Sequence, residues 1–274
     1  MKLSGIFAAL PTPFDWNGDV YPIKMQHNVV HWNRVALAGY VVAGRTGEAS
    51  ELTRDEKEKL FALVKDAALE GRVLIAGVGS ESLRNSIALS EKAAELGYVA
   101  VLAEPVGRDA TATYYRALAD RSKLPVIVAG ADVETSATAS QHPNICAVVA
   151  SSDVAELMPQ VRTGVQVIAG SAATFADGLR DGASAALLAY AAAAPYSAIT
   201  IWEAIRSRET DAAADWQQRI NGAVDLVEHQ FGIAGLKHAL DLNGYFGGPP
   251  RLPLAPIGQD AKAAIEKAFE GLRG

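Results

Sequence analysis

Arg45-Thr46-Gly47-Glu48 sets a cation, a hydroxyl and a carboxylate side by side. An arginine there could clamp a carboxylate through two parallel hydrogen bonds. It could equally pair with Glu48, Glu104 or Asp132 and fill space. Glu104 directly follows an apolar run. A carboxylate so placed could act as a general acid or base with a raised pKa, or form a salt bridge to Arg45. Gly170-Ser171 follows another apolar run, and Asp132 and Asp153 read as loop caps. Ser151 or Ser152 would need an adjacent base to act as a nucleophile, and no histidine falls beside a run.

Other chemistries lack their residues. His27 and His31 have metal-ligand spacing, but HNVVH lacks the glutamate of a zinc-protease motif and no third ligand is evident, so no metal is expected. His142, His229 and His238 read as structural. Gly77-Val78-Gly79 lacks the third glycine of a dinucleotide fingerprint, and no Walker loop is present, so no cofactor is implied. Cys146 lies in an apolar run and reads as a core residue.

The elements that must position these residues recur along the chain. Short apolar runs at 5–10, 40–43, 73–76, 99–103, 125–129, 145–150, 165–169 and 183–189 alternate with helical patterns. Their near-continuous hydrophobicity fits strands buried on both faces, as in parallel sheets. Thr53 and Glu56 form a capping box for a helix over 53–69 with an apolar stripe of Leu60, Leu63, Val64 and Ala67. Its charged stretch, with Asp55 and Lys59 spaced i,i+4, reads as a solvated face. A second helix spans 82–96 and stops at Gly97. Eight strands alternating with helices predict an α/β fold, a (β/α)8 TIM barrel over 1–195; a doubly wound open sheet is the alternative. The eighth strand is the weakest, because 183–194 is alanine-rich and could be helical. Helical patterns at 197–205, 212–231 and 232–242 predict an appended helical segment over 196–274, packed on the barrel as one structural unit. In such a barrel chemistry sits at the carboxyl ends of the strands. The residues to inspect are therefore Thr12, 45–48, Gly79-Ser80, Glu104, Asp132, 151–153, Gly170-Ser171 and Tyr190.

Composition narrows the function classes. The chain has 274 residues, half of them apolar and 20% charged, which excludes disorder as the main state. Its net charge is −6 and no Lys/Arg-rich run appears, which argues against nucleic acid or an anionic membrane as partner. The apolar run before Pro11 is too short for a signal segment, and the longest apolar stretch, 183–195, is too short to span a bilayer. With one cysteine, nothing demands an oxidising compartment. A soluble cytoplasmic protein is expected.

Several stretches then resemble one family. GIFAALPTPFD at 5–15 resembles the opening of the dihydrodipicolinate synthase / N-acetylneuraminate lyase family, and GYVVAGRTGEASELTRDEK at 39–57 its Gly-Thr-Thr-Gly-Glu loop and capped helix. VLIAGVGSES at 73–82, LPVIVAG at 124–130 and HPNICAVVASSD at 142–153 resemble its third, fifth and sixth strands, and LDLNGYFGGPPRLPLAP at 240–256 its tail. The resemblance implies a barrel with three added helices, a homodimer or homotetramer, and carbon–carbon lyase or aldol-type chemistry on pyruvate or a related 2-oxo acid. In the family a lysine near the end of strand six forms an iminium that serves as electron sink. A tyrosine ending strand five relays protons with the first threonine of the pair. The second threonine and nearby backbone amides hold the substrate carboxylate.

Those residues are replaced here. The lysine position carries Val149, or Ala150 if the frame slips by one. The tyrosine position is Ala129, the first threonine is Arg45, and a carboxylate-binding arginine corresponds to about Glu134. Thr46, Gly47, Glu48 and Gly170-Ser171 remain. None of the ten lysines directly follows a strand run; Lys123 precedes the fifth and Lys237 lies among the late helices. The expected ligand-binding set is Arg45, Thr46, Glu104, Gly170 and Ser171, with no residue assigned a catalytic role. Two functions follow. One is a divergent lyase with an altered site worked by Arg45, Thr46 and Glu104. The other is a catalytically silent homologue that binds a small carboxylate or serves as a structural or regulatory partner.

Overall fold

The computed structural model describes residues 2–106, 109–151 and 153–272. Eight parallel strands close in chain order: β1 Gly5–Ala9, β2 Gly39–Val42, β3 Val73–Gly77, β4 Ala100–Ala103, β5 Val126–Val128, β6 Ile145–Ala150, β7 Gln166–Ala169 and β8 Ala185–Leu188. β8 pairs with β1 from Gly5↔Ala185 to Ala8↔Leu188, which excludes the open sheet. Side-chain alternation sorts each strand. Phe7, Ala9, Val41, Ile75, Leu102, Ile127, Ala129, Val149 and Ile168 fill the barrel interior. Ile6, Ala8, Tyr40, Val42, Val101, Val128, Val148 and Val167 face the helices. Both faces are buried, which is why the runs read as continuously apolar.

The helices between the strands are α1 Pro22–Trp32, α2 Arg54–Ala67, α3 Leu83–Glu95, α4 Ala112–Arg121, α5 Val133–Ser140, α6 Val154–Leu157 and α7 Phe175–Arg180. The capping box of α2 forms as expected: Glu56 N donates to Thr53 Oγ1 and Thr53 N to Glu56 Oε2 at 2.8 Å. Its charged stretch is only partly solvated. Asp55 and Lys59 are exposed, but Lys57 falls on the inner face with Leu60, Phe61 and Val64. Lys57 Nζ donates to Gly79 O at 2.6 Å, and burial lowers its pKa to about 8.

The alanine-rich stretch divides. Pairing to β1 and β7 holds Ala185–Leu188 as strand, and α8 Tyr190–Ala193 follows at once. Next come α9 Pro195–Arg206 and α10 Thr210–Val224. The expected helix over 212–231 does not run through. It widens into a π-helix over Asp225–Gln230 and restarts at Gly232, φ +53°, as α11 Gly232–Leu242. A final helix, α12 Gln259–Ala268, lies beyond those expected. Among the described residues no helix is long and apolar enough to cross a membrane. Cys146 sits in β6, where burial pushes its thiol up to about 11.

Candidate functional site

A cavity of about 360 Å³ opens at the carboxyl ends of the strands. Its floor is apolar, built from Ala9, Val41, Leu102, Ala129, Val149 and Leu187. Arg45, Thr46, Glu104, Ser151, Gly170 and Ser171 give it polar walls, and Glu228, His229, Ile233 and Leu236 close it from the C-terminal side. All five residues expected to bind a ligand therefore border one space.

Arg45 opens a short 3-10 turn, Arg45–Gly47, and its guanidinium pairs with the Glu104 carboxylate. The arginine side chain is 73% exposed and the glutamate 16%, so the pair stands at the wall with its acidic end buried. Of the three acidic partners open to Arg45 in the sequence, Glu104 is the one it meets. Gly130, φ +72°, leaves the room: a Cβ there would lie 3.2 Å from Glu104 Cγ and 3.3 Å from Arg45 Nη2. Beside the pair lies a second pocket of about 240 Å³ that shares Gly44, Arg45, Leu102, Glu104 and Ile233 and is bounded by Leu254.

The turn is held from beneath. Ala43 (φ 55°) and Glu48 (φ 58°) flank it with left-handed backbone, a conformation costing about 1–3 kcal/mol per non-glycine residue. Thr12 Oγ1 donates to Gly47 O at 2.7 Å. Glu48 is buried: Oε2 accepts from Arg251 N at 2.8 Å, and Oε1 lies 2.5 Å from Lys237 Nζ. Lys237 also donates to Pro249 O at 2.9 Å and sits 4.5 Å from the Phe14 ring, with the Arg251 guanidinium 4.3 Å from the same ring. Burial lowers the Lys237 pKa, and Glu48 opposes that shift. Sequence reading placed Lys237 only among late helices and left Glu48 among the family residues that remain. Their contact joins distant parts of the chain and has no local signature.

At the floor, Val149 faces the cavity and Ala150 the helices. A Cβ on Gly170 would lie 2.5 Å from Val149 Cγ1, so the glycine lets β7 close against the valine. The described residues include all ten lysines, and none of these borders the cavity. Glu134 is exposed on α5, away from it. Asp132 caps α5 by accepting from Thr135 N at 2.7 Å, and Asp153 caps α6 by accepting from Glu156 N at 3.1 Å. Tyr190 is buried with its hydroxyl 2.9 Å from Ser197 Oγ. Ser152 lies outside the described residues.

Two cavity residues were not anticipated. His229 read as structural, yet it borders the cavity, and Glu228 was not singled out. Glu228 Oε1 accepts from Tyr190 N at 3.3 Å and Oε2 from Ala172 N at 3.4 Å. Burial raises its pKa, and those two amides oppose the rise.

The chain matches the model of the dihydrodipicolinate synthetase family over residues 2–271. It is 28% identical to 4-hydroxy-tetrahydrodipicolinate synthase of Exiguobacterium sp., over 97% of each chain. Against the enzyme of the same name from Xanthomonas axonopodis pv. citri the identity is 30%, covering 97% of this chain and 94% of that one. The fold matches a dihydrodipicolinate synthase from Bacillus anthracis with a TM-score of 0.89 at 24% identity, over 97% of each chain. With the closed barrel and the site at its strand ends, these matches establish that the chain belongs to the dihydrodipicolinate synthetase family, a family of aldol-type lyases and synthases.

Proposed function

We propose that the barrel mouth binds a small carboxylic acid, a 2-oxo acid or a relative of one, without forming an iminium with it. The observation that carries this reading is Val149 on the cavity floor, with Ala129, the residue just past β5, lining the same floor. Iminium chemistry needs an amine to attack the keto carbon and a hydroxyl to pass protons. Neither side chain offers a polar atom, and Val149 stands where the resemblance puts the lysine. Losing a covalent nucleophile removes several powers of ten in rate, about what subtilisin loses without its serine. A lyase worked without an iminium would have to draw on Glu104, whose carboxylate is already engaged by Arg45, or on Glu228, whose oxygens accept the Tyr190 and Ala172 amides. The catalytically silent homologue is therefore the better reading. Arg45, Thr46, Gly170 and Ser171 are its carboxylate-side residues, and a cytoplasmic homodimer or homotetramer is the assembly that the family resemblance favours.

Calorimetric titration with pyruvate tests this. Saturable binding is expected, weakened about tenfold in Arg45→Ala, the size of one charge-assisted hydrogen bond. Multiple turnovers of a 2-oxo acid by the native protein would contradict the reading, as would binding that Arg45→Ala leaves unchanged.

A further inference from the structure

The family chemistry leaves one charged cavity residue without a task. Between α10 and α11 the chain winds as a π-helix, Asp225–Gln230, a form rare in proteins and concentrated at functional sites. This turn brings Glu228 and His229 to the cavity. Each Glu228 oxygen accepts one backbone N–H, from Ala172 in the loop after β7 and from Tyr190 at the start of α8. At 3.4 and 3.3 Å both bonds are long, and both suit the ionised carboxylate. Among the described residues Glu228 forms no ion pair. The Arg45 and Glu104 charges cancel each other. Among the described residues that leaves a half-buried carboxylate without an ion-pair partner on one side of the cavity, with the exposed His229 ring near it. Such a field repels a second carboxylate and attracts a cation.

We propose that the preferred ligand is a carboxylate that also carries an ammonium group, a small amino acid rather than its 2-oxo counterpart. The ammonium sits on Glu228 and the carboxylate lies toward the Arg45–Thr46 turn. This rests on the reading of the cavity as a carboxylate site and adds the class of ligand. The ammonium supplies three donors to a carboxylate whose two present bonds are weak. It also compensates the charge that burial leaves costly. A 2-oxo acid puts a carbonyl oxygen there instead, acceptor against acceptor.

Titrations with matched pairs test the proposal: alanine against pyruvate, and glutamate against 2-oxoglutarate, at neutral pH. On the native protein the amino member of each pair should bind about tenfold more tightly or better, and Glu228→Gln should abolish that preference. If the 2-oxo member binds equally or more tightly to the native protein, the ligand class is wrong and the carboxylate reading survives. If neither member of either pair binds at millimolar concentration, both readings fall together. A preference that persists in folded Glu228→Gln overturns the assignment to Glu228. The first comparison needs no variant, so a misfolded Glu228→Gln leaves the proposal open to refutation.

Discussion

Val149 and Gly170 meet so closely that a methyl on the glycine would overlap the valine. That contact decides what can be built at the floor. A lysine at 149 would enter an apolar surround that favours its neutral amine, which helps nucleophilic attack. It would still face Ala129, which holds no hydroxyl to carry protons. Val149→Lys is therefore expected to show 2-oxo acid turnover far below the 1–10³ s⁻¹ usual for enzymes; a rate within about tenfold of that range would contradict the expectation. At this scale the sequence was partly legible. The family resemblance pointed to Val149, and the strand-end rule brought Arg45 and Glu104 within reach of each other. Glu228 and His229 were not legible, because they reach the cavity through a π-turn that 212–231 does not announce.

The turn Arg45–Gly47 depends on elements far from it in sequence. α11 supplies Lys237, the tail supplies Arg251, and both close on Glu48. Removing one partner of a buried pair leaves the other charge without compensation, at a cost of about 3–5 kcal/mol. Lys237→Met should lower stability by that amount in urea unfolding, and adding Glu48→Gln should recover part of it. A loss under about 1 kcal/mol would show the pair to be incidental. The tail has a second hold, on α2. Arg251 Nη2 meets Glu56 Oε1 at 2.7 Å, and the hydrogen bonds from Arg251 hold the Glu56 pKa at about 2, against 4.5 unperturbed. A carboxyl with a depressed folded pKa stabilises above its unfolded value, and that contribution is lost as pH falls from 4.5 toward 2. Native protein should therefore lose more stability across that interval than Glu56→Gln, and parallel curves would remove Glu56 from the account. The α2 capping box was legible because its signal is local, spanning Thr53 to Glu56. Lys57 was misread because the same six-residue charge run, Arg54 to Lys59, covers an exposed and a buried face.

Across the whole molecule, closure of β8 on β1 makes the barrel, and the late helices lock onto it. Trp32 stacks on Tyr245 with ring centroids 5.2 Å apart, and Asn243 Nδ2 donates to Ala193 O at 2.6 Å. Asn28 Nδ2 donates to Phe246 O at 2.8 Å, while Phe246 N donates to Asn28 Oδ1 at 2.7 Å. Phe269, past α12, packs beside Tyr190 with ring centroids 5.9 Å apart. The stretches 1–195 and 196–274 should therefore unfold in one urea transition, and 1–195 alone should show no cooperative fold. Two separate transitions would divide them. The barrel was legible from eight doubly buried apolar runs. The helix 259–268 was not, because its inward face offers few anchors, chiefly Ile265. The central claim, that no amine serves the cavity, is tested most directly by incubating the protein with pyruvate and borohydride and weighing it by mass spectrometry. The unmodified mass is predicted; a reduced pyruvate adduct on any lysine, Lys57 and Lys237 included, would contradict it.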